Sequence, residues 1–179
     1  MAAKGRDDWP RPAAEEGPMH RREPLLVYQT RVDAAWIDDN DHMSDAAYAL
    51  VFSRAVDALM DRVGLDAAQR KASRRTLYVA QAMHRYFAEA LAGDALAVSF
   101  RLLDHDDKRM RVWFEMFGRD GVALAVSEQT LLSIDRGGAK PRVAGWRAET
   151  RSALDALARA QRELAAPALA GRGVTMGRD

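Results

Sequence analysis

Cysteine is absent from all 179 residues. Its absence excludes a disulfide framework, a thiolate nucleophile, and zinc or iron–sulfur sites held by cysteine. Charge of one sign is equally scarce. Twenty-seven Lys and Arg against 26 Asp and Glu leave a formal +1, so no global field points to nucleic acid or a membrane surface as partner. No apolar run approaches the roughly 18 residues of a membrane span. The N-terminus lacks the apolar core of a secretory signal, and a cytoplasmic location is the expectation. The stretch "GLDAAQRKASRR" matches neither glycine-rich phosphate loop pattern. His20, His84 and His105 are scattered. In the acidic loop, Asp38, Asn40 and His42 alternate as calcium-loop ligands do. That loop would need glycine at its sixth position and glutamate at its twelfth; Met43 and Ala49 stand there. No metal and no cofactor are expected.

What is present divides the chain in three. Residues 1–23 hold three of the six prolines and ten charged residues, without an apolar period. They are expected to form a disordered or loosely attached arm. Residues 24–165 form the expected domain. It starts with a short β-rich run, "LLVYQTRV" at 25–32, followed by the acidic loop "WIDDNDHM" at 36–43. A helix then runs to Val63, with Ser44 or Asp45 as N-cap and Gly64 as its stop. Its apolar positions cover more than half the circumference, which predicts a helix enclosed on nearly all sides. Four β-like runs follow: Thr76–Glu89, Ala95–Asp104, Arg109–Phe117 and Val122–Asp135. Their connections, "AGD" at 92–94, "HDDK" at 105–108 and "GRDG" at 118–121, fit antiparallel hairpins. In the third run Met110, Val112, Phe114 and Met116 alternate with Arg109, Arg111, Trp113 and Glu115, so one face is buried. An alanine-rich amphipathic helix over Arg147–Leu164 and a flexible tail at 166–179 close the chain. A single apolar helix needs a curved sheet wrapped about it. The predicted class is therefore α+β: a hotdog fold with a C-terminal surface helix.

The pattern V-x-x-x-W-I-D-x-N-x-H-M, followed by a long helix with an early Tyr48, resembles the 4-hydroxybenzoyl-CoA thioesterase branch of hotdog proteins. Asp38 and His42 stand in the relation of that branch's D-x-x-G-H motif. The run from Ser73 to Phe117 looks more narrowly like the bacterial thioesterases of carnitine catabolism, which hydrolyse betainyl-CoA to glycine betaine and CoA. The resemblance covers about residues 25–135. It implies an acyl-CoA substrate and a homodimer or homotetramer. It also implies Asp38 as base or nucleophile, His42 beside it, and Trp36, Asn40, Met43 and Tyr48 in substrate binding. Asp41 departs from the family, which usually has glycine there; aspartate tolerates a left-handed backbone better than most residues.

Asp38 fits the role because thioester hydrolysis needs a carboxylate to attack the carbonyl or aim water at it. Free N–H groups at the start of the helix suit the developing oxyanion. Asp and Asn before a helix are also common caps and turn formers, and that reading stays open. Glu128 shares the parity of Val122, Leu124, Val126 and Leu132, and is a candidate for the acyl pocket. Arg70, Lys71, Arg74 and Arg75 could meet CoA phosphates or form a solvated face. For a cationic acyl group, Trp36, Tyr48, Tyr78, Tyr86 and Trp113 are the available rings, with Asp39 or Asp41 to balance charge. His84 reads as a structural histidine. Two rivals remain: a hotdog dehydratase or hydratase of 3-hydroxyacyl thioesters, and a non-catalytic acyl-CoA-binding module.

Overall fold

A computed structural model describes residues 24–174. The expected arm at 1–23 and the last five residues of the expected tail lie outside the described residues. Strand β1 (Leu25–Arg31) leads through a 3-10 turn (Ala34–Trp36) to helix α1 (Asp45–Arg62), then to a short helix α2 (Ala67–Ser73). Strands β2 (Arg75–Tyr86), β3 (Ala95–His105), β4 (Arg109–Phe117) and β5 (Ala123–Asp135) follow, then β6 (Arg142–Val143) and α3 (Ala148–Gln161). The sheet is antiparallel in the order β1-β3-β4-β5-β2, with β6 added to β5. It curls around α1: the hotdog architecture.

Helix α1 begins where Ser44 accepts the Ala47 N–H on its hydroxyl. It stops at Gly64, whose φ of +75° suits glycine best. Val51, Phe52, Ala55 and Leu59 are fully buried. They meet Leu96, Val98 and Phe100 of β3 and Met110, Val112, Phe114 and Met116 of β4. Burying each large side chain of this kind contributes about 1.5–3 kcal/mol. The opposite side of α1 is open: Leu50, Ser53, Arg54, Asp57 and Asp61 are exposed. The expected all-round enclosure is thus corrected to a one-sided burial, because the polar residues of the helix gather on a single outward stripe.

The two hairpins β3–β4 and β4–β5 form where the turns predict them. The connection at 87–94 does not make a hairpin. β2 pairs with β5 and β3 with β1, so this segment crosses from one side of the sheet to the other. It is the segment that meets the acidic loop. A β-bulge between Val79 and Gln81 shifts the register of β2. Before it Leu77 faces α1; after it Ala82, His84 and Tyr86 do, being paired with Gln129, Ser127 and Ala125. Tyr78 therefore does not share a face with His84 and Tyr86, although even spacing predicts that it does.

Part of the expected tail lies on the outer face of the sheet. Arg101 of β3 donates to the carbonyls of Leu164 and Ala165. Arg85 of β2 donates to those of Arg172 and Gly173, at 2.9 and 3.0 Å. Residues 164–173 thus span the sheet from β3 to β2.

Candidate active site

The acidic loop folds as a tight hairpin. Asp38 N–H donates to the His42 carbonyl (3.0 Å), and Asp41 N–H returns to the Asp38 carbonyl (3.1 Å). Ile37 and Met43 form a β-bridge at its base. Asp41 sits at the turn with φ +64°, the left-handed conformation that glycine serves in the resembling family. The carboxylate of Asp38 is fixed by an Asx turn, its Oδ1 accepting the Asn40 N–H at 2.8 Å. Oδ2 meets no donor among the described residues. Asp38 caps no helix, since Ser44 caps α1 and Asp33 caps the 3-10 turn. An aspartate pinned through one oxygen, with the other open, is geometrically able to orient water or to attack.

Neighbouring elements clamp this hairpin. Ser44 N–H donates to the Trp36 carbonyl (2.9 Å), and Met43 N–H to Ala90 in the crossing segment (2.8 Å). Met43 is only 1% exposed, so its side chain belongs to the core rather than to a substrate surface. Trp36 is half-buried against the same core. His42 Nδ1 lies 3.4 Å from the Met43 carbonyl, and Nε2 lies 3.7 Å from the Glu89 carboxylate. The imidazole is oriented between backbone and acid. In the first turn of α1, Ala46 N–H is taken by the Asp45 carboxylate and Ala47 N–H by Ser44. The Asp45 N–H meets no acceptor among the described residues. It is a donor left open at the helix start, of the kind that can bind an anion.

Tyr48, one turn into α1, is 3% exposed and donates its hydroxyl to the Ala88 carbonyl at 3.0 Å. Burial pushes its phenol up from the ordinary value, with the Glu89 carboxylate adding to it. The Tyr86 ring stands edge-on to Tyr48, centroids 5.3 Å apart. It is 47% exposed. Asp38, Asn40, His42 and Tyr48 are thus gathered around the hairpin and the helix start. Tyr86, one of the rings considered for a cationic acyl group, joins them, as does Glu89, which was not among the expected site residues. Because 87–90 follows β2 in a non-repeating backbone, only the crossing topology shows that it meets the loop.

Glu128 is not brought to this cluster. It pairs across β4 with Trp113, on the sheet face opposite Phe114 and Val112. Its Oε1 binds Arg111 through two nitrogens at 2.5 Å, and its Oε2 accepts the Gly171 N–H at 2.7 Å. Its partners are the outer-face segment and an arginine, not the acyl pocket. Arg70 donates to the Leu65 carbonyl, Arg74 to that of Arg136 and Arg75 to that of Gly145. Three of the four basic residues near α2 thereby tie local backbone together. No cluster of three metal-ligating side chains occurs among the described residues, and no helix there is long and apolar enough to cross a membrane.

Comparison with known proteins shows the family. A family model described as the thioesterase-like superfamily matches residues 32–157. The betainyl-CoA thioesterase of Pseudomonas aeruginosa is 40% identical over 149 residues, which span 83% of this chain and 92% of that protein. Among solved structures, a Pseudomonas putida KT2440 protein assigned as a thioesterase superposes with a TM-score of 0.74 at 33% identity, over 87% of this chain and 99% of the other. A Staphylococcus aureus protein determined in complex with CoA superposes with a TM-score of 0.78. At 22% identity, covering 86% of this chain and 97% of that one, it supports the fold.

Proposed function

From its place in the thioesterase-like superfamily, to which this chain belongs as an acyl-CoA thioesterase of the hotdog fold, we propose that it hydrolyses betainyl-CoA to glycine betaine and CoA in the cytoplasm. The observation that carries the reading is the pinned Asp38 beside the open start of α1, in a chain 40% identical to a betainyl-CoA thioesterase.

In this proposal the thioester carbonyl lies against the Asp45 N–H, where the helix dipole favours the developing oxyanion. The free Oδ2 of Asp38 takes a proton from water as that water adds to the carbonyl carbon. The tetrahedral adduct collapses, the C–S bond breaks, and the CoA thiolate leaves and is protonated. Direct attack by Asp38 through a mixed anhydride gives the same products, with water entering in a second step. Asn40 holds Asp38 through its backbone, while His42, oriented by Glu89, lines the site. The reaction requires no metal or cofactor.

The assembly belongs to the same proposal. β2 is an edge strand whose middle residues, Tyr78 to Ala82, are exposed. Unpaired edges invite pairing, and a second copy added there gives a homodimer with a continuous sheet, two of which can form a tetramer.

The test is CoA release from betainyl-, acetyl-, hexanoyl- and benzoyl-CoA, with chain mass measured in solution. Fast release from betainyl-CoA supports the substrate. Release from neutral acyl groups alone keeps the enzyme class and discards this substrate. A non-catalytic module would release CoA from none of them.

A further inference from the structure

The acyl group of betainyl-CoA is short, with one methylene between its carbonyl and its quaternary nitrogen. Wherever the carbonyl is held, the cation must lie beside it, and here that place is the first turn of α1. Of the five candidate rings, the fold removes three as a surface for a ligand. Trp113 is 5% exposed on the outer face, Tyr78 is turned away from α1 by the β2 bulge, and Tyr48 is 3% exposed within the core. Of the other two, Trp36 is half-buried with its ring packed against the core, whereas Tyr86 is 47% exposed and stands edge-on to Tyr48 at the first turn of α1.

The setting of Tyr86 and Tyr48 suits a cation. Asp45 opens α1 three residues before Tyr48, and Glu89 follows Tyr86 by three residues with its carboxylate 3.7 Å from His42. After burial, the charge of Asp45 helps push the Tyr86 phenol up and that of Glu89 the Tyr48 phenol, so both carboxylates act on this pair of rings. Behind them His84 stacks flat on the fully buried Phe52, centroids 5.4 Å apart and planes 6° apart, and 6.5 Å from Tyr86. Burial lowers the His84 pKa, so this ring stays neutral and sets no positive charge against a bound cation. His84 is in register with Ser127, whose hydroxyl is bonded to Gln129. His84 Nδ1 and Gln129 Oε1 are buried without partners.

We propose that Tyr86, braced edge-on by Tyr48 near Asp45 and Glu89, is the ring against which the quaternary ammonium of the acyl group sits, and that it sets the preference for a cationic over a neutral acyl group. The inference rests on the betainyl-CoA reading above. A cation over an aromatic face gains a contribution equivalent to about 2- to 30-fold in kcat/KM.

The experiment compares betainyl-CoA with 3,3-dimethylbutyryl-CoA, the neutral isostere with carbon in place of nitrogen. The ratio of kcat/KM values is measured for the full chain, Tyr86→Leu and Tyr86→Phe. The expected result is a ratio above one for the wild type, lowered about 2- to 30-fold in Tyr86→Leu and kept in Tyr86→Phe, which retains the ring face. A preserved ratio in Tyr86→Leu overturns the subsite but leaves the betainyl-CoA reading intact. A ratio lost equally in Tyr86→Phe moves the effect to the hydroxyl and also overturns it. A wild type unable to release CoA from betainyl-CoA overturns both. Should Tyr86→Leu fail to fold, competitive inhibition of wild type and Tyr86→Phe by choline and by its neutral isostere 3,3-dimethyl-1-butanol replaces it. Equal inhibition by the two alcohols overturns the subsite.

Discussion

Replacing Asp41 by valine, and separately by glycine, perturbs a single dihedral angle in the hairpin that carries Asp38. Asp41 holds φ +64° and closes the turn by donating its N–H to the Asp38 carbonyl at 3.1 Å. For an L-residue the left-handed conformation costs about 1–2 kcal/mol, and aspartate, whose short polar side chain bonds locally, bears it best. Valine carries that cost with a β-branched side chain on top of it. Its turn must either remain strained or reopen, and reopening releases the Asx turn that fixes Asp38. A displacement of about 1 Å in a catalytic group typically costs on the order of 100-fold in rate. Glycine removes the strain but adds freedom to the unfolded chain worth about 0.4–1 kcal/mol. The two effects nearly cancel. Urea denaturation and CoA release are therefore expected to separate the variants. Asp41→Val should lose about 1–2 kcal/mol of stability and one to two orders of magnitude in kcat. Asp41→Gly should stay within about 1 kcal/mol of the wild type with little change in kcat. A valine variant as stable and as active as the wild type would refute the reasoning about the turn. A folded glycine variant slowed tenfold or more would show that the carboxylate, not the backbone angle, is what matters.

The rest of the fold gives further expectations. Leu59 is fully buried under the sheet, and Leu59→Ala should cost about 2–5 kcal/mol in urea or thermal unfolding; a loss under about 1 kcal/mol would mean α1 is less tightly packed than described. His84 has a lowered pKa through burial. Above its ordinary value both folded and unfolded chains carry it neutral. Below that value the unfolded chain binds a proton that the folded one resists, so stability should fall as pH drops from about 6.5 towards the folded pKa. Urea midpoints measured across that window should flatten in His84→Phe; an unchanged slope would assign the dependence elsewhere. Glu128→Gln weakens the pair with Arg111 and the bond to Gly171. Hydrogen exchange in 164–173 should rise while kcat holds, and a large fall in kcat would return Glu128 to the site.

Much of this molecule is legible in its sequence where chemistry is local. Ser44 and Gly64 mark α1 because a hydroxyl cap and a left-handed stop act within a few residues. The alternation in β3 and β4 reads directly because each has one apolar face. Helix α2, "AAQRKAS", is seven residues without an apolar period, and it escapes such a reading. The crossing at 87–94 escapes it too, since a short glycine turn between two β-like runs suggests a hairpin unless partners are known. Glu128 shows the same limit. Parity tells which residues share a face but not which face meets the loop, so its place on the outer surface appears only with the strand order. The motif marks the hairpin that carries Asp38, because its turn chemistry is local. Tyr86 is one of five candidate rings, but its place beside Tyr48 depends on a β-bulge, and Glu89 reaches the site through a crossover; neither placement leaves a mark in sequence.

The most direct test of the account is kcat for betainyl-CoA hydrolysis by Asp38→Asn, with circular dichroism to verify the fold. Asparagine keeps the Oδ1 that accepts the Asn40 N–H but cannot take a proton or act as a carboxylate nucleophile. The account predicts a folded protein slowed by about 100-fold or more. A folded Asp38→Asn variant that releases CoA at the wild-type rate would contradict it.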